Sequence, residues 1–170
     1  MERLELIRAL IANLDRTFRV AWVCKGSTCR SPMGMGLTRH EAQGHDLDIE
    51  VISFGILDVI RTDPAYLKGA HESSIQIMDE HGINIRDHVP RHSSGVGPLE
   101  DFDLFVAAEK VVYDELIKLG ISPEKVMLEE ISNPWQLGHA AYVKSVGEIK
   151  AAQPRVFAKI EERLRALTTA

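Results

Sequence analysis

The sequence predicts one α/β domain with a four-stranded parallel sheet flanked by helices. Two observations carry this prediction. Short apolar runs that favour strands alternate with helical patterns, which is typical of βαβ units and a mostly parallel sheet. A chain of 170 residues is long enough for one compact core and too short for two comfortable domains.

Four segments combine apolar character with β-branched or aromatic residues, and we predict them as strands. They cover residues 18–24, 48–54, 102–107 and 125–128. Ligands bind at the carboxyl ends of parallel strands, beside a topological switch point. The loop after the first strand is therefore the expected site.

Helical patterns alternate with these strands. Their predicted spans are 31–44, 64–81, 111–119 and 140 onward. Ser31 suits a helix N-cap, and Pro32 suits the first helical position, where no backbone N–H is needed. Pro154 is expected to split or restart the last helix.

The first 17 residues read as a helical extension before the domain at 18–170. Leu4, Ile7, Ile11 and Leu14 recur at spacings of three and four, which indicates a short amphipathic helix. Its apolar stripe can cover the domain core or serve as the contact of a homodimer.

Composition and charge narrow the functional classes. A formal net charge of -5 gives no reason to expect nucleic acid as a partner. No apolar run approaches the roughly 20 residues that span a bilayer, so no membrane partner is expected. Charged residues among the first leucines argue against a signal peptide, and two cysteines in such a chain favour the reducing cytoplasm. Two cysteines are too few for a structural zinc site, and we expect neither a metal nor another cofactor.

The loop at residues 24–30 reads CKGSTCR and joins the first strand to a helix N-terminus. Backbone N–H groups and the helix dipole favour an anion there. In that field Cys24 should ionise to a nucleophilic thiolate, and the planar fork of Arg30 suits two phosphate oxygens. The loop can therefore bind a phosphoryl group and form a phosphocysteine. The phosphate-binding residues would be Lys25, Gly26, Ser27, Thr28, Cys29 and Arg30.

The stretch VCKGSTCRSP at residues 23–32 resembles the signature of the low-molecular-weight protein tyrosine phosphatases. That family's loop reads Cys-x-Gly-Asn-x-Cys-Arg-Ser-Pro, and the order of strands and helices fits from residue 18 onward. The resemblance implies that Cys24 is the nucleophile and Arg30 the phosphate and transition-state clamp. It also implies that Ser31 hydrogen-bonds the thiolate, and that Cys29 can form a protective disulfide with the nucleophile.

Four further positions acquire roles from the same resemblance. Ser53 and His88 would belong to a hydrogen-bond network that shapes the loop from behind, although His88 could equally be a surface histidine. Trp135 would stand at the mouth of the site, where it could stack on an aromatic substrate. Asn133, in the Asn-Pro of ISNPW, stands where the family has the aspartate that acts as general acid.

An asparagine cannot donate that proton, and loss of a general acid typically costs a factor of about 10²–10⁴ in rate. Glu129 or Glu130 could replace the acid if the loop bends differently; otherwise both are solvated surface glutamates. Ser27 also departs from the family by replacing the loop asparagine. Gly34 and Met35 replace an Ala-Glu pair on the following helix.

The sequence therefore leaves two main hypotheses. The first is a phosphomonoesterase acting on phosphotyrosine or a related aryl phosphate, either in a phosphorylated protein or as a small ester, and slow because of Asn133. The second is a pseudophosphatase whose loop binds inorganic phosphate, another oxyanion or a phosphorylated ligand. Thr28 is typical of members acting on phosphoarginine, but guanidine is a basic leaving group that needs proton donation. Arsenate reduction would need further redox cysteines, which the sequence lacks. Phosphoarginine hydrolysis and arsenate reduction are therefore weaker hypotheses than the two main ones.

Overall fold

The computed structural model describes residues 3–169 and confirms the predicted fold. The strands are β1 (Phe18–Cys24), β2 (Ile49–Gly55), β3 (Leu104–Ala107) and β4 (Val126–Leu128). The helices are α1 (Arg3–Ala12), α2 (Arg30–Gly44), α3 (Val59–Thr62), α4 (Glu72–Glu80), α5 (Lys110–Lys118) and α6 (His139–Thr168). None of the helices between residues 3 and 169 is long and apolar enough to cross a membrane.

All four strands run parallel in the order β2-β1-β3-β4. After β1 the chain crosses to β2 on one side and later returns to β3 on the other side. The switch point therefore lies between the carboxyl ends of β1 and β3. Cys24 is the last residue of β1 and lies at that edge.

The pleat of β1 divides the core into two layers. Phe18, Val20 and Trp22 face the larger layer, which α1, α2, α4 and α6 cover. Ala21 and Val23 face the smaller layer under α5. Helices on both faces are what a buried parallel sheet requires.

Close packing of α2 against β1 explains why Gly34 stands where the resembling family has alanine. A Cβ added to Gly34 would lie 2.2 Å from the ring of Trp22. The indole Nε1 of Trp22 donates to Thr38 Oγ1 at 2.9 Å, and the Thr38 hydroxyl donates to Gln153 Oε1 at 3.0 Å. A glycine in mid-helix therefore admits a buried tryptophan that ties β1, α2 and α6 together.

The N-terminal helix packs on the domain core. Ile7 is fully buried in the larger layer, and Leu4, Ile11 and Leu14 pack against it. The division into 1–17 and 18–170 and the homodimer stay predictions. Residues 1, 2 and 170 lie outside the described part.

Three local predictions were wrong. The segment 64–81 is not one helix: the turn Pro64–Lys68 is a 3₁₀ helix, and α4 begins only after Gly69, whose φ of 100° ends the first piece. Pro154 does not split α6, because it lies on the solvent side of the helix while Ala152 and Val156 are buried beside it. Water can satisfy the carbonyl that the missing proline N–H leaves free.

The start of α2 also differs from the prediction. Ser31 is not its N-cap, because the helix begins at Arg30 after Cys29. Pro32 therefore occupies the third helical position, where the chain still needs no backbone N–H. This shift by two residues turns the hydroxyl of Ser31 toward Cys24 instead of toward the helix backbone.

Candidate active site

The loop between β1 and α2 brings the sulfur of Cys24 under the first turn of α2. The Cys24 thiol donates to Ser31 Oγ over 3.1 Å, and both residues are buried. If Cys24 ionises, the Ser31 hydroxyl can turn its own proton toward the thiolate. The end of β1 and the start of α2 thus place a buried thiol next to a buried hydroxyl.

Ser27 sits at the strained point of the loop. Its φ of 61° is in the left-handed region, which side-chain-bearing residues other than Asn and Asp rarely adopt. The backbone N–H of Arg91 donates to Ser27 Oγ at 3.2 Å, and the hydroxyl is fully buried. Contacts from behind the loop therefore hold a conformation that Ser27 does not favour by itself.

His88 and Ser53 lie behind the same residue. His88 Nε2 is 2.7 Å from the carbonyl oxygen of Ser27, and His88 Nδ1 is 3.2 Å from Ser53 Oγ. Burial lowers the pKa of His88, which favours the neutral ring. A carbonyl only accepts, so Nε2–H donates to Ser27 and Nδ1 accepts from the Ser53 hydroxyl.

Gly55, the last residue of β2, lies under the loop. A Cβ added there would be 2.5 Å from the carbonyl oxygen of Lys25 and 2.9 Å from the Ser27 nitrogen. That Lys25 oxygen accepts from the backbone N–H groups of Ile56 and Leu57 at 2.9 and 3.1 Å. The absence of a side chain at Gly55 therefore lets the loop rest on the end of β2.

Arg30 is held by groups from two other segments. Its Nη2 donates to Glu109 Oε1 at 2.8 Å, and its Nη1 donates to the carbonyl oxygen of Ile131 at 3.2 Å. Lys25 Nζ lies 3.6 Å from the same Glu109 oxygen. Sequence reasoning missed Glu109; the signal was an acidic residue just beyond the end of β3, across the switch point from Cys24.

Cys29 is the second free cysteine of the loop. Its sulfur lies 3.3 Å from the hydroxyl of Tyr142, whose oxygen is also 3.3 Å from His71 Nδ1. Burial raises the pKa of the Cys29 thiol, so this sulfur is held protonated. The sequence did not point to Tyr142 or His71 as neighbours of Cys29, because Tyr142 lies in α6 and His71 just before α4, both far from the loop along the chain.

A cavity of about 300 Å³ opens at this loop, and we call it the active-site pocket. Its lining residues are Cys24, Lys25, Gly26, Thr28, Cys29, Arg30, Leu57, Tyr66, Asn133 and Trp135. Tyr66 was not singled out from the sequence; burial, with a smaller effect of Asp63, raises the pKa of its phenol, which keeps the hydroxyl protonated.

Asn133 and Trp135 reach the pocket from the segment between β4 and α6. Asn133 Oδ1 accepts the backbone N–H of Trp135 at 3.3 Å. The preceding Ser132 is tied to α6, because its carbonyl accepts from Ser145 Oγ at 2.7 Å and its N–H donates to Glu148 at 3.2 Å. Asn133 is therefore held at the pocket wall by its own turn and by α6.

The family assignment follows from a sequence model described as "Low molecular weight phosphotyrosine protein phosphatase", which matches residues 19–170. The chain belongs to this family. Two curated relatives, each a "Probable low molecular weight protein-tyrosine-phosphatase EpsP", come from Ralstonia solanacearum and Ralstonia nicotianae. Each is 36% identical over 75 residues, which is 43% of this chain and 43% of the relative. The match thus spans less than half the length of these curated relatives.

Solved structures of the phosphatase family share the fold. The low-molecular-weight protein tyrosine phosphatase from T. tengcongensis has a TM-score of 0.72 at 22% identity, over 84% of this chain and 99% of that chain. Vibrio vulnificus Wzb, solved with benzylphosphonate, has a TM-score of 0.70 at 23% identity, over 85% and 99%. Escherichia coli K30 Wzb, solved with sulphate, has a TM-score of 0.68 at 22% identity, over 85% and 99%.

Glu129 and Glu130 are the two carboxylates that the sequence offered as replacements for the general acid. Neither lines the active-site pocket. Glu129 is buried against Arg155, whose Nη2 donates to Glu129 Oε2 at 3.1 Å. Of the two, only Glu130 is an exposed surface glutamate. Of the three residues considered for the acid position, only Asn133 lines the pocket.

Proposed function

We propose that this chain is a phosphomonoesterase that forms a phosphocysteine on Cys24 and acts on phosphotyrosine or a related aryl phosphate. The observation that carries the proposal is the convergence of Cys24, Arg30 and the aromatic Trp135 on one pocket of about 300 Å³. A sulfur nucleophile, a bidentate oxyanion clamp and a flat apolar wall are the parts that an aryl phosphate requires.

In the first step the Cys24 thiolate attacks phosphorus, the P–S bond forms, and the bond to the leaving oxygen breaks. Arg30 and the loop N–H groups take the non-bridging oxygens, whose charge must be stabilised in the transition state. The ion pair with Glu109 holds the Arg30 guanidinium in place before the substrate arrives. The leaving aryloxide departs toward the mouth of the pocket, where Asn133 lies.

In the second step water attacks the phosphocysteine, the P–S bond breaks, and inorganic phosphate leaves. The departing sulfur recovers its negative charge, and the Ser31 hydroxyl 3.1 Å away can donate to it. This interaction favours the thiolate as a leaving group. Ser31 thereby serves both steps, first by stabilising the nucleophile and then by stabilising the same atom as it leaves.

We propose that this reaction is slow because no described residue lining the pocket is a carboxylic acid that could donate or accept the proton, and Glu109 at its rim is paired with Arg30. A factor of about 10²–10⁴ in rate is the usual contribution of such a group. The same observation supports the second candidate, a pseudophosphatase that binds phosphorylated or anionic ligands without turning them over.

Two other activities have weaker support. Thr28 lines the pocket, as the phosphoarginine hypothesis requires, but a guanidine leaving group depends on proton donation more than a phenol does. Arsenate reduction needs electrons from further thiols, and the chain has only Cys24 and Cys29. Phosphoester hydrolysis needs neither.

The relatives support an oxyanion as ligand. Benzylphosphonate and sulphate accompany two of the similar structures, so we propose inorganic phosphate as a ligand of this loop. A phosphorylated protein or a small aryl ester would be the substrate. The mechanism requires a reduced Cys24, which favours the cytoplasm as the working compartment.

The proposal is tested by turnover of p-nitrophenyl phosphate and phosphotyrosine by the wild type, by Cys24→Ser and by the matched control Cys29→Ser. We expect slow turnover in the wild type, a loss of at least about a thousandfold in Cys24→Ser, and turnover retained in Cys29→Ser. Equal rates in the wild type and Cys24→Ser would refute the proposal that Cys24 is the nucleophile of a phosphatase. Phosphate binding without any turnover in the wild type would establish the pseudophosphatase.

A further inference from the structure

A second cavity of about 580 Å³ opens beside the active-site pocket. We call it the flanking groove, and its lining residues include Ala65, Tyr66, Ala70, His71, Ile75 and Trp135. It shares Thr28, Tyr66 and Trp135 with the active-site pocket, so the two cavities are continuous around these side chains. A substrate that extends out of the pocket along Tyr66 or Trp135 would enter the groove.

The groove exists because the helix predicted over 64–81 is interrupted. The 3₁₀ turn Pro64–Lys68 supplies one wall, and α4 with the preceding His71 supplies the other. Gly69, with its φ of 100°, separates the two pieces. Asp63 stabilises the turn, because its Oδ1 accepts the backbone N–H of Ala65 at 2.9 Å. The groove is therefore a built feature of the fold rather than a gap between loops.

Several exposed apolar side chains lie on the two chain segments that contribute residues to the cavities. Of the nine large apolar side chains that the structure exposes among its described residues, five lie on segments 57–67 and 135–137. They are Leu57, Val59, Leu67, Trp135 and Leu137. Leu67 is 74% exposed and Leu137 is 69% exposed. Leu57 and Trp135 line the active-site pocket, and Trp135 also lines the flanking groove.

Charge does not account for the groove. Lys68 and Glu72 contribute one charge of each sign, and the Asp63 carboxylate is used within its turn. Ala65, Ala70 and Ile75 supply the apolar wall. Contact with an apolar side chain is therefore the recognition that this surface supports best.

We propose that the flanking groove binds the polypeptide next to the phosphorylated tyrosine and receives an apolar side chain adjacent to it. This inference rests on the proposed function and selects phosphotyrosyl polypeptides over small aryl esters as the substrate. A small aryl ester requires only the pocket of about 300 Å³ and has no part that would extend into the groove. A polypeptide carries its backbone out past Tyr66 and Trp135, where the groove begins.

Binding to the Cys24→Ser variant tests the proposal independently of turnover. The probes are two fluorescein-labelled phosphotyrosine peptides that differ only in having leucine or serine on both sides of the phosphotyrosine. We expect the leucine peptide to bind about tenfold more tightly by fluorescence anisotropy. Adding Ala65→Gln, which puts a polar side chain into the groove, should reduce that preference to within about twofold.

The matched control is Ala151→Gln in the Cys24→Ser background, because Ala151 is exposed on α6 and lines neither cavity. It should keep the tenfold preference. Equal affinity for the two peptides in Cys24→Ser, or an unchanged preference after Ala65→Gln, would overturn the proposal. Failure of the wild type to hydrolyse p-nitrophenyl phosphate would instead refute the proposed function, and the peptide preference would still be measurable.

Discussion

Arg30 Nη2 lies 2.8 Å from Glu109 Oε1 at the switch point between β1 and β3. Arg30 is only 3% exposed, whereas the Glu109 side chain is 28% exposed. The pair therefore orients a buried guanidinium from the rim of the pocket and offsets its charge while no phosphate is bound. A phosphate in the loop would take over part of that role.

This relationship predicts a stability change in Glu109→Gln. The amide keeps an oxygen that accepts from Arg30 but removes the charge that compensates it. We expect the free energy of unfolding to fall by about 1–3 kcal/mol, less than for a fully buried pair. Inorganic phosphate should raise the melting temperature more in this variant than in the wild type.

Urea and thermal unfolding measure both effects, with Glu124→Gln, at an exposed position, as the control. An equal response to phosphate in wild type and variant would contradict the pairing.

Gly55→Ala should displace the phosphate-binding loop. The new Cβ would meet the Lys25 carbonyl at 2.5 Å and the Ser27 nitrogen at 2.9 Å, and backbone atoms cannot rotate away as a side chain can. A shift of about 1 Å at the site predicts a loss on the order of 100-fold in kcat/KM for p-nitrophenyl phosphate. Gly95→Ala is the control, because no atom lies within 4 Å of its added Cβ. Wild-type kinetics in Gly55→Ala would show that the loop does not depend on this close approach.

His88 should make the fold less stable as the pH falls. In the unfolded chain it takes up a proton near its ordinary pKa of 6.5, while burial lowers its pKa in the folded chain. Between the two values the unfolded state holds more protons, so the free energy of unfolding decreases as the pH falls. The slope reaches about 1.4 kcal/mol per pH unit at most.

Urea unfolding of the wild type and His88→Gln between about pH 7 and pH 5 isolates this contribution, because the other histidines are common to both. The stability difference between the two proteins should shrink as the pH falls. Curves that stay parallel over that range would mean that His88 keeps the same protonation in both states.

Asn133→Asp should accelerate the reaction most for poor leaving groups. The aspartate can accept the Trp135 N–H as Asn133 Oδ1 does and still offer its second oxygen to the leaving group. We expect a gain of about 10- to 100-fold in kcat for phenyl phosphate and a smaller gain for p-nitrophenyl phosphate, whose phenolate leaves without help.

Asn84→Asp provides a matched control for this substitution. Asn84 Oδ1 accepts the backbone N–H of Arg86 at 2.9 Å in the same kind of turn, but it does not line the active-site pocket. Its rates should equal those of the wild type. A gain in Asn133→Asp that is the same for both esters, or no gain, would show that Asn133 is not at the acid position.

The sequence predicted the sheet, its connections and the loop because each depends on local signals. Apolar runs mark the strands, and the CKGSTCR segment lies at the carboxyl end of the first one. The break at Gly69 escaped prediction because the helical pattern on either side of it is continuous. The flanking groove, which depends on that break, was therefore also missed.

Contacts between residues that lie far apart in the chain also escaped prediction. Glu109 is 79 residues from Arg30, and Tyr142 is 113 residues from Cys29. Tyr142 has no sequence pattern that distinguishes it from a core tyrosine, and Glu109 is marked only by its place just beyond the end of β3. Glu129 shows the converse, because a residue that looked solvated is buried through its contact with Arg155. Such pairings are set by the packing of whole elements and become visible only in the structure.

We propose that Cys24 carries the phosphoryl group during turnover. The most direct measurement is mass spectrometry of the wild type, quenched in acid during turnover of p-nitrophenyl phosphate and then digested. We expect a peptide containing Cys24 with the added mass of one phosphoryl group, and no phosphorylated peptide from Cys24→Ser. Steady turnover by the wild type with Cys24 unmodified, or with the phosphoryl group on another residue, would contradict it.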